Sequence, residues 1–167
     1  SDKPLRHKLF LFFLGALFLY QASFYMLKLR EEIKFAGDEK NALAGQHIAA
    51  GKFLKEAVPP NEWLAVYMDA GAIPYFSGLK TVDFGRINDE KLTRGNLSLN
   101  EAVDYFYSFN LGAAVFTSVS LDKLDYGPEA EAITSDPRFM QYQLVKKYPS
   151  PLVPPPYHEF VYLRKDL

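Results

Sequence analysis

"MDAGAIPYFSGLKTVDFGRIND", residues 68–89, is the stretch on which the fold turns. Just ahead of it, "WLAVYM" at 63–68 is a compact apolar run that ends at Asp69. Such a run, bounded by turn residues, reads as a strand buried on both faces. "AGAIPYFSG" then reads as a short helix or turn, with Gly78 in the C-terminal capping position. "KTVDF" at 80–84 is a second strand. Strand, short helix and strand in this order make a β-α-β unit and imply a parallel sheet.

The pattern continues downstream. "INDEKLTRG" contains a short acidic-to-basic helical turn. "SLNEAVDYFYSFN" offers Ser98 as N-cap with Glu101 three residues on, a capping box, and its apolar stripe is Ala102, Val103, Phe106 and Phe109. "LGAAVFTSVS" holds a third strand with a continuous core run from Ala113 to Phe116. A loop and a helical stretch stopped by Pro137 follow, then a fourth strand, "YQLVKKY". "PSPLVPPPY" suits neither a helix nor a central strand. "HEFVYLRK" alternates and makes a last strand, antiparallel to the fourth. Residues 61–167 therefore predict a small three-layer α/β domain. Its mixed sheet is parallel in its first part and has an antiparallel edge.

The amino-terminal part, residues 1–35, is different. From Leu9 to Leu27 the chain carries no charge, close to the ~20 residues a helix needs to cross a bilayer. Leu9, Phe13, Leu17, Tyr20, Phe24 and Leu27 are the residues expected in the span. Lys3, Arg6 and Lys8 precede it and Lys28, Arg30 and Lys34 follow, so charge alone does not orient it. A cleaved signal peptide would need a small-residue cleavage site, which "LKLREEIKF" lacks. A core helix apolar all round would need a larger protein around it. Residues 36–60 read as a juxtamembrane helix stopped by Pro59 and Pro60, with Ala42, Leu43, Ile48, Ala49, Phe53, Leu54 and Ala57 at helical spacing. His47 within it reads as a surface or packing residue. The chain starts at Ser1, which reads as a processed start or a fragment of a longer protein.

Composition excludes some functions. A net charge of -1 gives no reason to expect nucleic acid. With no cysteine, thiolate metal sites and disulfides are excluded. His7, His47 and His158 lack zinc-site spacing, and no G-x-G-x-x-G, Walker or G-x-S-x-G pattern occurs, so no metal, cofactor or catalytic residue is expected. The candidates for ligand binding are Asp69, Tyr75, Asp83, Arg86 and Asp89, because ligands of open parallel sheets bind beyond the carboxyl ends of strands. The competing reading makes Asp69, Asp83 and Asp89 caps or ion-pair partners of Arg86, with glycines serving the turns. The tyrosines of "DYFYSF", 104–109, read as the edge of a core helix, with a sugar-stacking platform as the sharper alternative. The tripeptide "NLS" at 96–98 is a formal glycosylation sequon that carries no weight by itself.

"VPPNEWLAVYMDAGAIPYFSGLKTVDFGRINDEKLTRG" resembles the C-terminal extracytoplasmic domain of bacterial multipass membrane glycosyltransferases of the GT-C type, which use polyprenyl-phosphate-linked sugars. The resemblance rests on Asp69, Gly71, Tyr75, Ser77, Gly78, Val82, Asp83 and Asp89, and on strands at Tyr142 to Val145 and Val161 to Arg164. It spans about residues 45 to 165. The chain departs from the pattern at "DFGRIND", where Gly85 comes one residue early and Arg86 stands where glycine is common. The resemblance implies that the catalytic carboxylates lie in loops between earlier membrane helices, outside this chain. The chain would then be the last membrane helix and an accessory domain, held at the cell inner membrane with the domain periplasmic. Its partners would be the lipid bilayer and other transmembrane helices of a parent protein. The alternative is a single-pass anchored interaction subunit of a membrane complex.

Overall fold

The computed structural model describes residues 3–68, 70–125, 127–150 and 157–167. Asp69, one of the candidate ligand residues, lies outside the described residues, as does most of the proline-rich connector. The chain divides into two compact units, residues 1–39 and residues 40–167.

The first unit is one helix. Helix α1 runs from Lys3 to Ala42, without a break at residue 35 where the sequence reading placed a boundary. It is long and apolar enough to cross a membrane. Leu9, Phe13, Leu17, Tyr20, Phe24 and Leu27 are all exposed, as the side chains of a lipid-facing helix must be.

The second unit begins with a π-helical segment, Leu43–Ile48, and helix α2, Ala49–Ala57. Its sheet has five strands: β1 Trp63–Tyr67, β2 Lys80–Asp83, β3 Leu111–Ser118, β4 Tyr142–Tyr148 and β5 His158–Arg164. The order is β2-β1-β3-β5-β4. β1 pairs in parallel with β2 and β3; β5 pairs antiparallel with β3 and with the edge strand β4. The chain's last strand is thus internal and the one before it forms the edge. The helices are α3 Ala72–Ser77, α4 Glu90–Arg94, α5 Leu99–Tyr107 and α6 Pro128–Ser135, followed by a 3-10 turn at Pro137–Gln141. The architecture is α/β with a mixed sheet.

Side-chain alternation along the central strands builds two cores, one on each face. On β1, Leu64 and Val66 face one core while Ala65 and Tyr67 face the other. On β3, Ala113 and Val115 oppose Ala114 and Phe116 in the same way, so all eight residues of this strand are buried. Helices α2 and α3 close the first face through Ala50, Leu54 and Ile73. Helices α4, α5 and α6 close the second through Leu92, Val103, Phe106, Ala130 and Ile133. The caps are local: Gly78 ends α3 at φ 68°, and Ser98 and Glu101 form the capping box of α5.

Strand β4 serves both cores. Tyr142 joins the α5 side and Tyr148 the α2 side, although residues six apart on a regular strand share a face. An irregularity between Leu144 and Lys146 leaves Val145 without a register partner on β5 and shifts the alternation by one.

The α2–α3 contact depends on Gly51. A Cβ there would lie 2.8 Å from the Ile73 carbonyl oxygen and 2.8 Å from Phe76 Cβ. Gly51→Ala is expected to cost about 1–3 kcal/mol through overpacking, despite the better helix propensity of alanine. A lower urea midpoint in detergent checks this.

Candidate functional site

The strand order reverses between β1 and β3. From β1 the chain leaves through α3 on one face to reach β2, and from β3 it leaves toward α6 on the other. In open α/β sheets the crevice beyond the carboxyl ends at such a point is where ligands bind. Beside it lies an open cleft of ≈ 390 Å³, lined by His47, Met68, Ala70, Gly71, Ala72, Ile87 and Asn88.

The two turns that shape this end are tight. Met68 and Arg86 both hold left-handed backbone, at φ 85° and 62°, at a cost of order 1 kcal/mol each. Gly85 lets them meet: a Cβ there would stand 3.1 Å from Met68 Cα and 2.9 Å from Asp83 Oδ1.

The sequence candidates take structural positions. Asp83 is buried, and its carboxylate accepts from the N–H groups of Gly85 at 2.8 Å, Ile87 at 3.2 Å and Asn88 at 2.9 Å. It therefore holds the β2–α4 loop. Asp89 caps α4, accepting from Leu92 N–H at 2.9 Å, and also accepts from the Tyr105 hydroxyl at 3.1 Å. That helix runs from Glu90 to Arg94. Burial and the Asp89 carboxylate both push the Tyr105 phenol pKa up. Arg86 pairs with neither aspartate. Its guanidinium donates to Glu129 Oε1 at 2.9 Å, and Glu129 Oε2 accepts from the Tyr67 hydroxyl at 3.1 Å. Loop, helix α6 and the end of β1 are tied together by these bonds. Tyr75 is 80% exposed and stacks edge-on with Phe76. The tyrosines of α5 point to structural partners, Tyr105 to Asp89 and Tyr107 to the Ile133 carbonyl. No aromatic platform stands open there.

The polar groups at the crevice stand where the sequence reads as packing or strand positions, His47 among them. His47, on the π-helical segment, places Nε2 3.6 Å from Oε1 of Glu159, a fully buried carboxylate on β5. Thr117 on β3 donates to the Tyr67 carbonyl at 2.9 Å and lies 3.5 Å from Glu159 Oε2. Gln46, the residue before His47, donates to the carbonyls of Tyr148 at 3.0 Å and Tyr157 at 2.8 Å, strapping the two ends of the β4–β5 connector. The looser winding of a π turn is often found where a helix must present side chains to a site. The polar residue pattern "GQH" was the one available signal. Among the described residues, no group of three or more His, Asp or Glu side chains is placed to hold a metal ion.

His158 closes the same connector. Its Nδ1 accepts from the Ser150 N–H at 2.9 Å, which requires that nitrogen to be unprotonated, and burial pushes its pKa down from 6.5. The unfolded chain therefore takes up this proton first as pH falls. The stabilisation is complete above the unfolded value and is lost as pH drops through it toward the folded one. Comparing urea midpoints at about pH 7.5 and 5.5, wild type should lose more stability than His158→Gln.

Helix and domain together define a long apolar helix followed by a compact mixed α/β domain with an open cleft at the carboxyl end of its sheet. The chain belongs to the family designated Domain of unknown function (DUF8728), which matches residues 33–162. The match begins beyond the uncharged run of α1. No curated protein and no solved structure matches the chain.

Proposed function

We propose that this chain is the membrane anchor and accessory extracytoplasmic domain of a GT-C type membrane glycosyltransferase, with sugar transfer from a lipid-linked donor carried out by other parts of the parent protein. The observation that carries the reading is the use made of the carboxylates at the end of β2 and at the start of α4. Asp83 and Asp89 accept from backbone N–H groups, so the motif behind the family resemblance works as architecture. The exposed apolar side chains of α1 support a membrane anchor, which this reading assigns to the inner membrane. In this reading the domain is periplasmic and shapes the acceptor site or steadies the membrane part.

Two measurements test it. The chain has no cysteine, so Ser135→Cys on the exposed end of α6 gives a single thiol. A membrane-impermeant maleimide should label it in intact cells; labelling only after lysis overturns the periplasmic placement. Transfer of a labelled lipid-linked sugar should be found in membranes holding the parent reading frame and should fall when residues 40–167 are deleted at equal protein level. Transfer by the 167-residue chain alone overturns the accessory role. A start codon just ahead of Ser1, with no multipass frame upstream, favours the single-pass subunit instead.

A further inference from the structure

We draw no further inference here: the strongest candidate, the cleft beyond the carboxyl ends of β1 and β2 with His47 beside the buried carboxylate of Glu159, belongs to the site already described, and nothing among the described residues fixes the chemical class of a ligand that fills it.

Discussion

Arg164→Leu should destabilise the α/β unit by about 3–5 kcal/mol, the range for removing one partner of a buried ion pair. The guanidinium of Arg164, near the end of β5, grips the carboxylate of Glu62 with two bonds, Nη1 to Oε2 at 2.9 Å and Nη2 to Oε1 at 3.0 Å. Nη1 also donates to Asn110 Oδ1 at 2.9 Å and to the Leu111 carbonyl at 3.1 Å, and Nε donates to Asp166. Glu62 is buried just ahead of β1, and Asn110 and Leu111 lie at the start of β3. One side chain therefore joins the beginnings of both central parallel strands to the end of β5. Geometry of this two-pronged kind is available to arginine and not to lysine. Arg164→Lys should recover only part of the loss. The double variant Arg164→Leu with Glu62→Leu should be less damaged than Arg164→Leu alone, because no carboxylate is then left buried without its cation. Urea melts of the full chain in detergent give these differences. If Arg164→Leu costs under about 1 kcal/mol, the pair behaves as a surface salt bridge and the clamp is not what holds the strand ends.

What could be read from the sequence follows from how far apart the interacting residues lie. The β-α-β start, the Gly78 cap and the Ser98–Glu101 capping box all depend on partners within a few residues, and the residue pattern carries them. Two-sided burial of β3 was visible as an unbroken apolar run. The position of β5 inside the sheet was not visible. Its pairing with β3 is decided by two-sided packing, and an alternating strand such as "HEFVYLRK" reads the same at an edge or in the middle. The candidate site divides in the same way. Asp83 and Asp89 were legible as turn-forming carboxylates because the N–H groups they cap follow within five residues. Arg86 beside Asp83 and Asp89 invited a local ion pair, but its partner, Glu129, stands 43 residues on. His47 and Glu159 share no local pattern at all, and it is the fold that brings an unremarkable histidine to a buried carboxylate.

Asp83→Ala should cost roughly 3 kcal/mol, about the value of charge-assisted hydrogen bonds lost from a partly buried loop. Three N–H groups, those of Gly85, Ile87 and Asn88, now share one carboxylate, and alanine leaves all three to seek water. The loss has a definite place. Gly85 holds the turn against Met68, and Ile87 and Asn88 line the cleft, so the carboxyl end of the sheet should loosen while both cores stay packed. Hydrogen exchange is then expected to quicken at residues 84–89 before it quickens in β3. Asp83→Asn keeps the shape and one acceptor oxygen, so it should retain part of the stability. This comparison separates the two roles open to a strand-end aspartate. A residue whose main work is to bind a ligand can be replaced with little change in stability, because its carboxylate is not needed by the empty fold. A residue that holds the loop cannot. Because the carboxylate of Asp83 already accepts three backbone N–H groups, destabilisation should appear without any ligand added, and any effect on binding in the cleft should follow the loosening of the loop.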